Sequence, residues 1–277
     1  MATRIALVTG ASSGIGEATA RRLAALGFTV YGAARRLDRL QELEGDGIRP
    51  LAMDVTDNES RRQGVAAILE DAGRIDVLVN NAGYGSYGAM EDVPLDEARR
   101  QFEVNVFGAM ALTQLVLPTM RAQRSGTIVN VSSMGGKIHT PLGGWYHATK
   151  FALEALSDCL RLELAPFGVD VVVIEPGSIA TEWSGIAADN LDEVSRGGAY
   201  TRQADAFAAS LRSGVSARHG SPPSVIADAV AKAVTTRRPK TRYAVGLGAK
   251  PLITAKRLLG DRQFDALIRR VTGVPKG

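Results

Sequence analysis

A tyrosine and a lysine stand four residues apart in the second half of the chain, where they could transfer protons. Tyr146 and Lys150 are separated by about one helical turn, so their side chains would share a helix face. An unperturbed phenol has a pKa of about 10, and an ammonium group within roughly 4–6 Å lowers that pKa by about 1–3. Such a phenol can donate or accept a proton near neutral pH. The alternative is a buried tyrosine beside a surface lysine, so the surrounding sequence must support the motif.

A glycine-rich turn near the N-terminus offers a second chemical signal. Gly10, Gly14 and Gly16 follow a short apolar run and lead into a helical pattern. Glycines let the backbone turn sharply and approach a pyrophosphate, and a helix start offers unpaired N–H groups and a positive dipole end. The spacing differs from the commonest dinucleotide fingerprint, Gly-x-Gly-x-x-Gly, but its place after the first apolar run favours the same use. Glycines that serve only the turn are the alternative.

The end of the second apolar run tests this interpretation independently. A site that prefers NAD places Asp or Glu there to bind the ribose 2′-hydroxyl, whereas this chain has Ala34 followed by Arg35 and Arg36. A guanidinium group can bind a 2′-phosphate through forked, charge-assisted hydrogen bonds. The sequence therefore predicts NADP(H) rather than NAD(H), with two arginines on a solvated loop as the alternative.

An alternation of strands and helices must position these residues. Apolar runs typical of strands occur at 4–9, 28–34, 49–54, 75–80, 126–132, 168–175 and 241–246. Between most of them, apolar residues recur three or four apart. One such stripe, ended by Gly27, consists of Ile15, Ala18, Leu23 and Leu26. Because the runs are apolar throughout, they indicate strands buried on both faces. The pattern predicts an α/β protein with a doubly wound, mainly parallel sheet of about seven strands and helices on both faces.

No internal repeat or Pro/Ser-rich linker divides the chain, so residues 1–277 are predicted to form one domain. A doubly wound sheet binds ligands at the carboxyl ends of its strands. Chemistry should therefore cluster where the predicted strands end. Those places are 9–16, 34–36, 54–55, 80–83, 105, 132–133 and 176–181.

Taken in order, these motifs resemble those of the short-chain dehydrogenases/reductases. The family's Thr-Gly-x-x-x-Gly-x-Gly turn matches Thr9 to Gly16, its adenine-contacting acid matches Asp54, and its Asn-Asn-Ala-Gly segment matches Asn80 to Gly83. The family's Pro-Gly-x-x-x-Thr element matches Pro176, Gly177 and Thr181. The resemblance covers residues 4 to about 182, and less distinctly the chain to about 246. It implies a Rossmann fold and a nicotinamide-dependent oxidoreductase.

The resemblance also implies catalytic roles for four residues. Tyr146 would protonate a carbonyl oxygen as hydride arrives, or deprotonate an alcohol in reverse. Lys150 would lower the pKa of Tyr146 and bind the nicotinamide ribose. Ser133 would hold the substrate oxygen in the manner of an oxyanion donor, with Ser132 as its nearest rival. Asn105 would help to order a water chain that leads to Lys150.

The expected cofactor site combines the glycine turn, the two arginines, the strand ends and the matched family motifs. Its residues are Gly10, Ser12, Ser13, Gly14, Ile15, Gly16, Arg35, Arg36, Asp54, Val55, Asn81, Ala82, Gly83, Tyr146, Lys150, Pro176, Gly177, Ile179 and Thr181. The expected cofactor is NADP(H).

A long connection without a strand signal, residues 178–220, is expected to form the substrate lid. The side chains expected to line the substrate site are mostly apolar: Tyr84, Tyr87, Met134, Trp145 and Trp183. With little fixed charge to hold a carboxylate or phosphate, they favour a lipophilic ketone, aldehyde or secondary alcohol, such as a steroid-like compound.

The C-terminal segment is strongly basic. Residues 232–277 contain twelve Lys/Arg against two Asp, so the rest of the chain has a net charge of −6. Within 250–277, apolar residues recur at helical spacing at Leu252, Leu259, Phe264, Leu267, Ile268 and Val271. We expect this helical extension to pack on its own domain or across a dimer, with an anionic membrane surface as the alternative. No DNA- or RNA-binding motif accompanies it.

Several tempting residues are given no chemical role. His139, His147 and His219 are too scattered for a metal site, so no metal is expected. Cys159 is expected to be a small core residue. Glu154, Asp158 and Glu163 are expected to form a solvated helix face. With one cysteine and no apolar run long enough to cross a membrane, the sequence favours a reduced, cytoplasmic setting.

The sequence therefore favours an NADP(H)-dependent carbonyl/alcohol oxidoreductase. A non-catalytic dinucleotide-binding regulator on the same scaffold is the main alternative. An epimerase or dehydratase of sugar nucleotides is a third, but such relatives usually have a differently spaced glycine turn. The resemblance further implies a homodimer or homotetramer, assembled through the long helices after the fourth and fifth strands.

Overall fold

The computed structural model describes residues 3–195, 197–212 and 220–275. Within these ranges, seven parallel strands form one sheet in the order β3-β2-β1-β4-β5-β6-β7. The strands are β1 (Ile5–Thr9), β2 (Thr29–Ala34), β3 (Ile48–Ala52), β4 (Val77–Asn80), β5 (Gly126–Val131), β6 (Val169–Pro176) and β7 (Arg242–Val245). Each predicted apolar run is a strand, so the predicted doubly wound sheet is confirmed.

Helices cover both faces of the sheet. They are α1 (Gly14–Ala25), α2 (Leu37–Gln41), α3 (Asn58–Ala72), α4 (Leu95–Phe102), α5 (Ala109–Gln123), α6 (Gly144–Leu164), α7 (Trp183–Ser195), α8 (Thr201–Arg212), α9 (Ser224–Thr235), α10 (Ala249–Leu258) and α11 (Asp261–Thr272). Apolar side chains of α1 and α9 belong to one core cluster, and those of α3 and α5 belong to another.

The central strand explains why continuous apolar runs mark this fold. All five residues of β1 are buried. Ala6 and Val8 pack in the core shared with α1 and α9, whereas Ile5 and Leu7 pack in the core shared with α3 and α5. Because successive side chains of a strand point to opposite faces, a strand covered on both sides is apolar at nearly every position.

Helix α1 differs from its predicted apolar stripe. Its buried residues are Gly16, Thr19, Ala20 and Leu23. Leu26 lies beyond the end of the helix and is 42% exposed, so the predicted inclusion of this residue is wrong. Gly27 has φ +84°, in the left-handed region expected of a glycine that ends a helix.

The sheet order places one particular crevice beside the glycine turn. Strand β1 pairs with β2 on one side and with β4 on the other, so the order of the strands reverses at β1. From β2 the chain continues to β3 at one edge of the sheet, whereas from β4 it continues to β5, toward the opposite edge. In open α/β sheets, ligands bind at such a switch point, outside the carboxyl ends of the strands.

The predicted lid segment contains two helices that the sequence reading did not anticipate. Helices α7 and α8 pack together through Ala187, Ala188 and Leu191 on one side and Ala204 and Phe207 on the other. Ile179 bridges to Ser221, which ties the two ends of the segment together. Residues 213–219 of the predicted lid, including His219, lie outside the described residues.

The C-terminal extension packs on its own chain. Ile253 of α10 and Phe264 and Ile268 of α11 form a buried cluster with Ile138, which lies just after β5. His139 reinforces this contact, since its Nε2 lies 2.9 Å from Asp265 Oδ1. The described residues form no helix with both the length and the hydrophobicity of a membrane span.

Helix α6 corrects two expectations about its faces. Glu154 is 3% exposed and forms ion pairs with Lys137 and Arg242, so it does not belong to a solvated face. Cys159 is exposed and does not belong to the core. The inward face of α6 contains Leu153 and Ser157. Since each residue advances a helix by about 100°, Cys159 lies roughly 200° away from Ser157 and faces outward.

Candidate active site

A cavity of about 1270 Å³ runs along the carboxyl ends of the strands. This volume exceeds the roughly 300–1,000 Å³ of a typical small-molecule site, so the cavity has room for two ligands side by side. It brings together nearly all the residues selected from the sequence. Those that do not line it are Gly16, Asn105 and Trp145.

The glycine turn forms one end of the cavity. Gly14 has φ +56°, a conformation that glycine adopts without strain. A Cβ atom on Gly16 would lie 2.1 Å from the carbonyl oxygen of Gly10, so position 16 admits no side chain. Gly16 therefore lets α1 pack against the turn, although it does not face the cavity. Ser13 makes no side-chain cap on α1, which leaves the first N–H groups of the helix directed at the cavity.

Thr9 and Asn81 hold the crevice between β1 and β4 at a fixed width. The Thr9 hydroxyl accepts hydrogen bonds from the backbone N–H groups of Asn81 and Ala82, both at 3.0 Å. In return, Asn81 Nδ2 donates to the Thr9 carbonyl oxygen at 2.9 Å. The structure thus gives Thr9, a residue not selected from the sequence as a site residue, a role in shaping the cavity.

Two arginines border the cavity where β2 ends. Arg36 Nη2 donates to Ser12 Oγ at 3.1 Å and to Ser13 Oγ at 3.2 Å, so its guanidinium group lies across the glycine turn. Arg35 also lines the cavity. Both arginines are exposed, and the last residue of β2 is the buried Ala34. This corner of the cavity is positively charged and has no carboxylate at the end of β2.

Asp54 follows β3 and also lines the cavity. Burial raises the pKa of its carboxyl group, but hydrogen bonds from the backbone and hydroxyl of Thr56 outweigh that effect and lower the pKa overall. Both bonds reach Oδ1, at 2.8 and 2.7 Å. Arg35 lowers the pKa further through its charge. Asp54 is therefore a negatively charged, firmly oriented acceptor.

Ser133, Tyr146 and Lys150 meet where β5 ends and α6 begins. The hydroxyl of Ser133 forms a hydrogen bond with Tyr146, and Ser133 Oγ accepts a further bond from the N–H of Gly135 at 3.0 Å. Lys150 Nζ donates to the carbonyl oxygen of Val131 at 3.0 Å. It lies 6.0 Å from the centroid of the Tyr146 ring. The helical spacing thus places the phenol and the ammonium group on one face of α6.

The proton affinities of this pair differ from the sequence expectation. Burial raises the pKa of Tyr146 to about 12, and the hydrogen bond with Ser133 only partly opposes that change. Burial also lowers the pKa of Lys150 to about 8, against the charge of Glu154. The expected lowering of the Tyr146 pKa by Lys150 is therefore wrong for this structure. The reason is that aromatic side chains enclose the phenol while the ammonium group is directed at Val131.

The two candidate serines have different surroundings. Ser133 reaches Tyr146, as described above. Ser132 Oγ is buried and has no hydrogen-bond partner among the described residues. It lies against Gly136, where a Cβ atom would approach it to 2.8 Å. Ser133 is therefore better placed than Ser132 to share a substrate oxygen with Tyr146.

Asn105 lies behind the cavity wall, in a π-helical segment (Glu103–Gly108) between α4 and α5. Its Nδ2 donates to the Tyr84 carbonyl at 2.8 Å and to Thr149 Oγ1 at 3.1 Å, and its Oδ1 accepts from the Tyr84 N–H at 3.0 Å. A Cβ atom on Gly83 would lie 3.0 Å from this oxygen and 3.6 Å from Lys150 Nζ. Asn105 thus fastens the segment after β4 to helix α6, close to Lys150.

His147, to which the sequence analysis assigns no chemical role, lines the cavity beside Tyr146. Its Nε2 accepts the N–H of Thr140 at 3.0 Å, which leaves Nδ1 to donate to the Gly135 carbonyl at 2.8 Å. Burial lowers the pKa of His147, which favours the neutral ring that this pattern requires. The imidazole therefore holds the segment that begins with Ser133. The sequence signal for this role was limited to the position of His147, a polar residue directly after Tyr146.

An aromatic cluster covers Tyr146. The ring centroids of Tyr87 and Trp183 lie 5.6 and 5.4 Å from that of Tyr146, and Phe207 lies 5.7 Å from Tyr87. Since Trp183 begins α7 and Phe207 belongs to α8, these two helices contribute the rings that cover the phenol. Of the five side chains expected to line the substrate site, Tyr84, Tyr87, Met134 and Trp183 line the cavity. Trp145 does not, because it is one residue from Tyr146 and about 100° around the helix.

The fold and site define a dinucleotide-binding α/β oxidoreductase: a glycine turn at a switch point, with a serine–tyrosine–lysine group in the same cavity. A family model described as short chain dehydrogenase matches residues 4–191. The chain belongs to the short-chain dehydrogenase/reductase family of enzymes, which use NAD(P)H to oxidise or reduce small molecules.

The relatives include proteins similar over almost the whole chain. One is a 3-ketodihydrosphingosine reductase of Bacteroides thetaiotaomicron, 39% identical over 97% of this chain and 98% of its own length. Another is an NADPH-dependent 3-dehydrocapnine reductase of Ornithobacterium rhinotracheale, 36% identical over 95% of each chain. Among solved structures, a short-chain dehydrogenase from Streptomyces avermitilis is 34% identical, with a TM-score of 0.76 over 99% of this chain and 96% of that one.

Proposed function

We propose that this protein is an NADP(H)-dependent oxidoreductase that reduces a lipophilic ketone or aldehyde, or oxidises the corresponding alcohol. The observation that carries the proposal is that Ser133, Tyr146 and Lys150 line the same cavity as the glycine turn. A protein that only bound a dinucleotide, the main alternative, would have no need of a buried phenol bonded to a serine beside it.

The residues at the glycine turn fit a dinucleotide. The position of Gly16 admits no Cβ atom, and the uncapped start of α1 offers N–H groups to a pyrophosphate. Ser12, Ser13, Ile15, Asp54 and Val55 line the part of the cavity that an adenosine moiety would occupy. Residues after β4 and β6 would hold the nicotinamide half. Those residues are Asn81, Ala82, Gly83, Pro176, Gly177, Ile179 and Thr181. When bound, the cofactor supplies or accepts a hydride.

The charge at the end of β2 supports NADP(H) over NAD(H). Ala34 removes the carboxylate that would repel a 2′-phosphate, and Arg35 and Arg36 offer two guanidinium groups in its place. A contact between unit charges near a protein surface is worth roughly 1–4 kcal/mol. That energy is enough to change a preference by tenfold or more. The printed name of the Ornithobacterium relative also specifies NADPH.

The proton affinities favour the direction of reduction. Because burial raises the pKa of Tyr146 to about 12, the phenol remains protonated at neutral pH and can donate its proton to a carbonyl oxygen. The hydroxyl of Ser133, already bonded to Tyr146, would hold the same oxygen and stabilise its developing negative charge. Lys150 would bind the nicotinamide ribose, and Asn105 would keep the segment after β4 in place beside it.

The substrate class follows from the apolar surroundings of Tyr146. The aromatic rings of Tyr87, Trp183 and Phe207 and the thioether of Met134 offer contacts to hydrocarbon. The name of the Bacteroides relative denotes reduction of a ketone, and 3-ketodihydrosphingosine is a long-chain compound. Both observations support a lipophilic carbonyl substrate.

Loss of NADPH absorbance with a panel of ketones and aldehydes tests the proposal. We expect Tyr146→Phe to lower kcat at least 100-fold, because the variant has no phenolic proton to donate. The variant should still bind NADPH in fluorescence-quenching titrations. If the wild type binds NADPH but reduces no member of the panel, the regulator is the better interpretation. Near-normal turnover by Tyr146→Phe would instead refute the assigned acid.

We also propose that the protein forms a homodimer or homotetramer through α5 and α6. Four large apolar residues at or on these helices are exposed: Phe107, Phe151, Leu156 and Leu162. Exposed apolar patches of this kind mark interaction sites. Light scattering after gel filtration should give a multiple of the 29.3 kDa chain mass, and Leu162→Lys should lower that multiple. A monomeric wild type would contradict this proposal.

A further inference from the structure

The C-terminal extension lines the cavity, in addition to packing on the core. Leu252 of α10 and Ile268, Val271 and Thr272 of α11 are among the lining residues. Thr272 Oγ1 donates to the Ile268 carbonyl at 2.8 Å, so its hydroxyl is used within the helix. The extension therefore presents a largely hydrocarbon surface to the cavity.

The lid helices also present apolar groups to the cavity. Ile186 and Val194 of α7 and Phe207 and Leu211 of α8 line it. Asn190, Glu193 and Ser210 supply polar groups among them. Phe207 and Leu211 lie four residues apart, so they form one apolar stripe on α8.

The lid and the extension are joined to each other and to the catalytic segment. Val274, just after α11, packs in the same apolar cluster as Tyr146, Phe207 and Ala208. At its other end, α11 is anchored through Phe264 and Ile268 to Ile138, which lies five residues after Ser133. Helix α11 thus spans the distance from the catalytic serine segment to the lid.

We propose that the C-terminal extension and the lid helices together form a binding site for the aliphatic chain of the substrate, and that Val271 helps to set the preferred chain length. The inference rests on the proposed function, because it extends the same cavity away from Tyr146. Leu252, Ile268 and Val271 of the extension line this cavity together with Ile186, Val194 and Leu211 of α7 and α8. The cavity volume of about 1270 Å³ accommodates a chain in addition to a dinucleotide.

Val271 is suited to a test by substitution. Its side chain lines the cavity but is 54% exposed, so a polar replacement removes apolar contact without burying a charge in the core. Ala266 offers a matched control on the same helix. It is exposed and is not among the cavity-lining residues.

The experiment compares kcat/KM for 2-butanone and 2-undecanone with NADPH in the wild type, Val271→Asp and Ala266→Asp. Burial of each additional methylene group should raise kcat/KM about fourfold, the equivalent of ~0.8 kcal/mol. We expect the wild type to prefer 2-undecanone by at least 100-fold. Val271→Asp should lower that ratio at least tenfold, whereas Ala266→Asp should keep it.

Two results would overturn the inference while leaving the proposed function intact. In one, the wild type reduces both ketones with equal kcat/KM. In the other, the ratio is the same in Val271→Asp as in the wild type. If the wild type reduces neither ketone, the panel of ketones and aldehydes decides the proposed function, and calorimetric titration with 2-undecanone tests the chain site directly. Equal affinities of the wild type and Val271→Asp in that titration would refute the site.

Discussion

Glu154 follows Lys150 by one turn of α6, and the two buried side chains are coupled electrostatically. Burial lowers the pKa of Lys150 to about 8, and the negative charge of Glu154 opposes that change. Glu154 Oε2 lies 2.9 Å from Lys137 Nζ and 3.0 Å from Arg242 Nε. Glu175 on β6 is also buried in this group and lies 3.4 Å from Arg242. Glu154 therefore connects Lys150 to a buried cluster of charged side chains.

Glu154→Gln is expected to shift the alkaline limb of the pH–kcat/KM profile to lower pH. The Glu154 carboxylate opposes the effect of burial on Lys150, so its removal should lower the pKa of Lys150 below about 8. The positive charge of Lys150, which we propose binds the nicotinamide ribose, is then lost at a lower pH. The pH dependence of kcat/KM between pH 6 and 10 measures the shift.

Asp158→Asn provides the matched control for that variant. Asp158 lies one turn further along α6 and forms an ion pair with Arg242 at 2.6 Å, as Glu154 does. It also pairs with Arg161 and is more distant from Lys150. We expect Asp158→Asn to keep the wild-type alkaline limb. Equal shifts in both variants would mean that loss of the Arg242 pairing, and not the charge beside Lys150, caused the change.

The double variant Arg35→Ala/Arg36→Ala is expected to lower the ratio of kcat/KM with NADPH to that with NADH by at least tenfold. The loss should fall on NADPH, because only its 2′-phosphate needs the two guanidinium groups. Initial rates at varied cofactor concentration give both values. Arg22→Ala is the control, since Arg22 is an exposed arginine of α1 that pairs with Asp228 and does not line the cavity. An unchanged ratio in the double variant would place the phosphate elsewhere.

His147→Leu is expected to reduce kcat at least tenfold. The variant loses the imidazole hydrogen bonds to Thr140 and Gly135, and the segment that carries Ser133 is then no longer held against α6. The affinity for NADPH should change little, because His147 is not among the residues proposed to hold the cofactor. Single-turnover rates and NADPH titrations separate the two effects. A variant with wild-type kcat would show that Ser133 is positioned without the imidazole.

The same histidine is expected to make stability depend on pH on the acid side. Burial lowers the pKa of His147 from its ordinary 6.5, so the unfolded chain binds a proton at a higher pH than the folded protein does. Stability should therefore fall as the pH drops below about 6.5. Urea titrations at pH 5 and pH 7 should show a smaller difference in His147→Leu than in the wild type. His139→Leu, which removes a half-exposed histidine paired with Asp265, serves as the control.

Local sequence determined the sheet and most of the catalytic group. A strand buried on both faces is mostly apolar, so β1 and β6 could be predicted directly from their apolar runs. The four-residue spacing of Tyr146 and Lys150 fixes their common helix face whatever the rest of the fold does. Glycines required by a backbone conformation, such as Gly14, are likewise visible without any tertiary contact.

Only the tertiary structure decided the proton affinity of Tyr146 and the residues that form the outer walls of the cavity. The pKa of Tyr146 depends on how Trp183 and Phe207, distant in sequence, enclose the phenol. The sequence predicts a solvated helix face at Glu154, yet this residue is buried and forms an ion pair with Arg242 of β7. Periodicity indicates that a helix has an apolar face, but it does not indicate which surface that face covers. Long-range packing, which no local pattern encodes, therefore placed α11 against the substrate cavity.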